Sequence, residues 1–403
     1  MSSAIKYRLL LILPIALGAC LAVVTANAQE SSGKSTGRPA KVPHYYVSPQ
    51  GNDANNGSFK HPWKTIQHAA MLVMPGATVH VAPGNYAGDI MTAISGTAAA
   101  RIRFVSDARW GAKIRSGSEF VWNNTADYVD IEGFDVSGEA IARIGILNWA
   151  SWVRVLNNRV HDIPAPNCPG FGGAGIDHAG YKSSDSDTLG NWIFNIGDYN
   201  RPCPRVHGIY QAEAGGVIQN NIVYRAEGWG IHLYHAAHDL IVANNTVFNN
   251  AYGGILVGQD DGKVPIADDI LVTNNIVYRN GLVHGADGYG VREYGRTGIH
   301  NKYINNLVSG NGPGDWRLQN GNAPSGTIAA DPHFVDYRPD GTGDYHLQPG
   351  SPAINTGTDV GAPTKDFEGR DRPAGSGIDI GAYQHLATST SASERRNDTS
   401  GLR

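Results

Sequence analysis

Through its middle the chain never sustains the 3.6-residue apolar stripe of a helix. Short runs of Ile, Val and aromatic residues alternate instead with Gly and Asn. Six times an Asn turn precedes such a run: Asn157-Asn158-Arg159-Val160, Asn191-Trp192-Ile193-Phe194, Asn220-Asn221-Ile222-Val223, Asn244-Asn245-Thr246-Val247, Asn274-Asn275-Ile276-Val277 and Asn305-Asn306-Leu307-Val308. A phrase returning at intervals of roughly 30 residues marks one supersecondary unit that buries its apolar side only against copies of itself. Three or so short runs per unit read as strands joined by tight turns. Asn suits such corners because its amide bonds nearby backbone and because it tolerates the left-handed conformation. Stacked coil on coil, those amides can also form a ladder along the axis. The expectation is an all-β solenoid.

The ends of the chain read differently. Lys6 and Arg8 precede an apolar run from Leu9 to Val24, and Ala26-Asn27-Ala28 is a small-x-small cleavage site, so residues 1–28 read as a secretory signal peptide. Leu17-Gly18-Ala19-Cys20 resembles a lipobox, which would make a lipoprotein anchored at Cys20. The apolar run continues past Cys20, which favours cleavage after Ala28 and a secreted or periplasmic protein. Residues 29–43 read as a linker, 44–385 as one solenoid domain and 386–403 as a disordered tail. Trp63, Ile66, Ala70 and Val73 have helical spacing, predicting a helix over 62–73 that caps the open end of the stack. In Asp53-Ala54-Asn55-Asn56-Gly57 the paucity of carboxylates favours an Asn/Gly turn over a calcium loop.

Composition narrows the class further. Charged residues make up 17% and the formal net charge is −4, with no basic cluster to suggest nucleic acid. Outside the signal no stretch is long and apolar enough to span a bilayer. Cys168 and Cys203 each lie a few residues before a Gly-Ile strand, at matching places in successive coils, and are expected to form a disulfide in an oxidising compartment.

Tyr46-Val47-Ser48-Pro49-Gln50-Gly51-Asn52-Asp53, Pro62-Trp63-Lys64-Thr65-Ile66-Gln67, the segment Val79 to Tyr86, the Asn coils, and the ending Asp366 to Pro373 with Asp379 to Tyr383 resemble secreted bacterial right-handed parallel β-helix proteins of the pectate-lyase-like superfamily. The resemblance covers roughly residues 44–385. It implies a right-handed parallel β-helix, expected here as a monomer. It does not decide the reaction, because that superfamily holds lyases, hydrolases, epimerases and non-enzymatic surface proteins.

The chemistry has to be read from the Gly-Ile strands. If the Ile/Val column points inward, alternation sends the next residue of each strand outward: Leu147, Asp177, Tyr210, His232, Leu256 and Arg292. Tyr234 and Tyr294, two positions on, face the same way. An exposed sheet needs only Thr, Ser, Lys or Val, whereas aromatic and ionisable residues collect where a ligand is held. The histidines His207, His232, His235 and His238 could equally be structural. Long inserts before Gly175 and Gly208 would wall a cleft beside the column.

Such a column suits cleavage of an acidic polysaccharide by β-elimination. His232 would serve as base near its natural pKa, Tyr210 as proton donor to the leaving oxygen, Arg292 as partner of the uronate carboxylate and Asp177 as orienter of His232 or of a sugar hydroxyl. Arg292 stands two coils from His232, about 10 Å at the sheet spacing, which suits a neighbouring subsite. Arg225 or Lys182 could then meet the carboxylate. Tyr234, Tyr294, His178, His207, Glu213 and Lys182 are the expected substrate-binding residues. The resemblance makes calcium a possible cofactor, but Asp185/Asp187 and Asp260/Asp261 lie in turns and no lysine stands in the column, so no metal ligand is assigned. Two other readings remain: a glycoside hydrolase using Asp177 and Glu213, with Glu227 nearby, and a carbohydrate-binding surface protein without acid–base chemistry.

Overall fold

The computed structural model describes residues 42–386, except 167, 169, 171, 202, 284–286, 374 and 375. The expected signal peptide, nearly all of the linker and nearly all of the tail lie outside these residues. The chain winds through three parallel sheets of 11, 9 and 9 strands. A typical coil contributes Arg154–Leu156 to the first sheet, Arg159–Ile163 to the second and Gly173–His178 to the third, then returns to the first at Asp187–Leu189. Each strand pairs in parallel with its counterpart one coil away.

The interior is built from columns. Ile146, Ile176, Ile209, Ile231, Ile255 and Val291 stand in register on the third sheet, and all are fully buried. Stacking like on like lets each coil fill the space its neighbour leaves, at about 1.5–3 kcal/mol per buried branched side chain.

The Asn turns join the first sheet to the second, and the two residues of each pair divide the labour. The first takes the left-handed conformation: Asn157, Asn220, Asn244, Asn274 and Asn305 have φ between 50° and 56°, and Gly190 at 64° fills that place before Asn191. The second is buried and builds the ladder. Asn158 Nδ2 donates to Asn191 Oδ1, and the same bond repeats from Asn191 to Asn221, Asn245, Asn275 and Asn306 at 2.9–3.2 Å. A second ladder, not anticipated, joins Asn250, Asn280 and Asn311 where the second sheet ends.

The helix is shorter than expected, Ile66–Leu72 and not 62–73. Thr65 is its N-cap and accepts from the His68 amide, while Trp63 is held in an extended bridge with Val47. Asp53 takes the amides of Lys64 and Thr65 and the Thr65 hydroxyl, which occupies its carboxylate with this turn. The helix packs on the strands His44–Val47 and Ile90–Thr92 at the first coils.

Residues 332–385 run back along the outside of the Asn corner. Asn220, Asn244, Asn274 and Asn305 donate to the carbonyls of Lys365, Asp379, Thr358 and Thr356. The first residue of each pair thus forms the corner and also fastens this strap. Phe334, Tyr345, Phe367 and Tyr383 pack on Tyr224, Phe248 and Tyr278 in a second apolar cluster on the outside of the coils.

Candidate active site

The third sheet carries the candidate column. Leu147, Asp177, Tyr210, His232, Leu256 and Arg292 are direct neighbours in successive strands, so the column lies in register across six coils. Coils about 4.8 Å apart place Asp177, Tyr210 and His232 side by side on one ladder. They line a cleft of about 720 Å³ together with Arg143, Tyr181, Arg205, His207, Trp229, Tyr234, His235, Tyr252, Asp260, Asp287, Arg292 and Tyr294.

His207 shares this face for a reason that strict alternation misses. The pairing passes from Ala174↔His207 directly to Ile176↔Ile209, leaving the Gly column out of register contact. A Cβ at Gly208 would stand 2.3 Å from Val223 and 2.6 Å from the Gly230 carbonyl oxygen, so only glycine fits there. The interrupted alternation brings His207 and Tyr210, three residues apart, onto one face, their rings stacked at 5.3 Å and 12°. His207 Nε2 lies 2.7 Å from His232 Nδ1.

Several other expectations need correction. His178 follows an outward residue and points inward, where it bonds Asn148 and Thr188 and is fully buried. Glu213 is also fully buried, accepting the Ser186 amide, and does not line the cleft. Lys182 is exposed outside the cleft. Arg225 bonds Asn195 on the second sheet. Glu227 accepts the Asp198 amide next to the disulfide. Asp177 does not orient His232, because Tyr210 stands between them in the ladder and His207 holds the imidazole. His232 is far from its natural pKa: burial, then the neighbouring His207 and His235, pull it well below the ordinary value.

Protonation at the cleft follows from burial. His207 is pushed down to about 3 and His235 is lowered, both chiefly by desolvation. Burial raises Asp177 to about 7, opposed by the charge of Arg143. Tyr210 is raised well above its usual value, first by burial and then by Asp177, and it is hydrogen-bonded to Tyr181. Burial and the bond to Asp260 raise Tyr234. At neutral pH the floor is therefore two neutral imidazoles, an intact tyrosine hydroxyl and a carboxyl near its midpoint. Asp177 Oδ1, His207 Nδ1, His232 Nε2, His235 Nδ1 and Arg292 Nε are buried without a hydrogen-bond partner in the protein. Buried polar atoms are ordinarily paired, so five of them in one cleft make it the candidate ligand site.

Cations stand at both ends. Arg292 reaches Asp287 Oδ1 at 3.1 Å and lies over the Tyr294 ring at 5.1 Å. Arg143 pairs with Glu119 and donates to the Gly172 carbonyl. Sequence reasoning missed Arg143 because it precedes its strand. Cys168 and Cys203 form the expected disulfide, Cα–Cα 6.3 Å, tying together the two inserts that wall the cleft. Among the described residues, the groups able to hold a metal are Cys168, Cys203 and Glu227, whose thiols are consumed by the disulfide, and Asp268, Asp269 and His300. Neither lines the cleft. No helix among the described residues is long and apolar enough to cross a membrane.

Three continuous parallel sheets and a ligand cleft on one of them define the class. The chain is a right-handed parallel β-helix, a fold it shares with pectate lyase Pel9A. The right-handed β-helix region model matches residues 144–326, and a model described as a protein of unknown function (DUF1565) matches residues 49–92. The chain is 25% identical to the uncharacterized protein YwoF of Bacillus subtilis (strain 168), over 59% of this chain and 69% of that one. It is 30% identical to mannuronan C5-epimerase AlgE2 of Azotobacter vinelandii over 70 residues, which is 17% of this chain and only 7% of the epimerase. Among solved structures, pectate lyase Pel9A superposes with a TM-score of 0.56 at 18% identity, covering 85% of this chain and 96% of that one, a likeness of fold.

Proposed function

We propose that this protein is a secreted polysaccharide lyase that cleaves a uronate-containing polymer by β-elimination. The observation that carries the reading is the ladder Asp177, Tyr210, His232 in a cleft where base, acid and carboxylate partner stand within neighbouring coils. The disulfide supports an oxidising, extracytoplasmic compartment.

His232, neutral at pH 7, takes the C5 proton of the uronate. The electron pair of the broken C–H bond becomes the C4–C5 double bond, the C4–O bond breaks, and the departing oxygen takes the Tyr210 hydroxyl proton. His232, with ring centroids 5.3 Å from Tyr210, then returns the proton to the phenolate. The carboxyl of Asp177 and the guanidinium of Arg143 face the sugar carboxylate, whose charge must be muted for C5 to acidify. Arg292 binds a neighbouring sugar. The hydrolase pair Asp177 and Glu213 is disfavoured, because Glu213 is turned into the protein.

A second reading shares the first step. A C5 epimerase also removes the C5 proton but returns one to the opposite face, and the 70-residue similarity to AlgE2 favours keeping it. Incubation with pectic, alginate and other uronate polymers, with and without chelator, separates the readings. Lyase action produces the ultraviolet absorbance of an unsaturated uronate, whereas epimerase action alters the sugar composition without it. Neither signal with any polymer, from folded protein, would refute both.

A further inference from the structure

We propose that His207 is a positioning residue for His232: its Nε2 accepts the Nδ1 proton of His232 and leaves His232 Nε2 as the bare lone pair of the base. This rests on the elimination reading above.

Two ring nitrogens 2.7 Å apart share one proton. Both rings are buried and neutral, so each carries a single N–H, and the pair has two arrangements. In one, His207 donates and His232 bears its proton on Nε2, which disables it as a base. In the other, His232 donates from Nδ1 and Nε2 is free. Abstraction of a C5 proton requires the second.

The same bond explains how so buried an imidazole can act. On taking the C5 proton, His232 becomes an imidazolium in a place that disfavours charge. Its Nδ1–H then makes a charge-assisted bond to His207 Nε2, which strengthens as the charge develops. No carboxylate performs this service, since Asp177 lies two coils away with Tyr210 between. The ring of His207 is fixed in turn by stacking on Tyr210, which couples the orientation of the base to that of the acid.

Nitrogen-15 NMR of the imidazoles, with the His232 signals assigned through His232→Asn, reads the tautomer in the intact protein without any substrate. The expected wild-type pattern is a protonated Nδ1 and an unprotonated Nε2 on His232. In His207→Phe, which keeps the ring against Tyr210 but removes the acceptor, the Nε2–H form should grow and kcat should fall about 100-fold with KM within threefold. His207→Gln places an acceptor near the lost Nε2 and should recover at least a tenth of wild-type kcat. A wild-type His232 protonated on Nε2 would overturn the proposal, as would an unchanged kcat in a folded His207→Phe enzyme that eliminates uronates. If no uronate polymer is cleaved, the elimination reading fails by that result, while the tautomer still judges the pairing by itself.

Discussion

The asparagine corner and the third-sheet cleft belong to the same coils and treat buried polar groups in opposite ways. At the corner each ladder asparagine between the two ends meets the same kinds of partner in every coil. Asn245, for instance, accepts the Asn221 amide and side chain and donates to the Ile218 carbonyl and Asn275. At the cleft the outward residue changes from each coil to the next, and five lining residues carry a buried polar atom without a protein partner. A polar group that recurs in register can be satisfied by its own copies, so repetition stabilises. One that breaks the repeat must find its partner elsewhere, and under the proposed function that partner is the substrate.

Removing one member from each region tests this contrast. His232→Ala should lower kcat by about 10²–10⁴, the range for a lost general base, while the melting temperature moves by only a few degrees. A large loss of stability with unaltered turnover would make the histidine structural. Asn245→Ala should do the reverse. It orphans two donors of Asn221 and removes the side-chain donor to the Ile218 carbonyl, while Asn275 Oδ1 keeps the backbone amide of position 245, costing about 3 kcal/mol in denaturant unfolding with kcat of the folded fraction unchanged. A cost below about 1 kcal/mol would mean the ladder is not what holds the corner.

The same contrast explains what could be read from the sequence. The corner was legible because its signal repeats: Asn-Asn before an apolar run implies both the left-handed residue and the ladder. The second ladder escaped notice because the left-handed place before Asn250, Asn280 and Asn311 is filled by Asn249, Arg279 and Gly310 in turn, so no pair recurs. The outward column followed from alternation alone, and alternation should also have excluded His178, the neighbour of an outward Asp177. Glu213 lies beyond the end of its strand, where parity no longer applies. The His207–His232 bond depended on the interrupted register at Gly208, which is a property of the packed sheets. The strap of residues 332–385 has no repeat, and its role rests on contacts 51 to 145 residues distant in the chain.

Asp177 sharpens the comparison through pH. Its carboxyl titrates near 7 in the folded protein against an ordinary 3.8, because burial disfavours the charge. The folded state therefore holds a proton that the unfolded chain releases, so this contribution to stability is present below about pH 4 and is lost as pH rises through about 7. The shift bounds the effect at about 4 kcal/mol. Asp177→Asn should raise stability by about 2 kcal/mol at pH 8 and leave it nearly unchanged at pH 4, seen as a gap in melting temperature between the two. Equal effects at both pH values would show that Asp177 is not held neutral.

The smallest expected effect is at Arg292, and it decides how far the cleft extends. Leu256 separates Arg292 from His232 in the ladder, so their strands stand two coils, about 10 Å, apart, a spacing that suits a neighbouring sugar better than the reacting one. It is also engaged by Asp287 and laid against Tyr294, a geometry suited to presenting a charge at a fixed place. A contact made equally in the ground and transition states changes binding alone. Arg292→Ala should therefore raise KM about tenfold, equivalent to about 1.4 kcal/mol, with kcat within twofold, and the penalty should fade as salt screens the substrate charge. With oligomers too short to reach the subsite, wild type and variant should behave alike. A fall in kcat that persists with those short substrates would place Arg292 at the reacting sugar and would require the chain to cross the ladder at a steeper angle than the register of the third sheet implies.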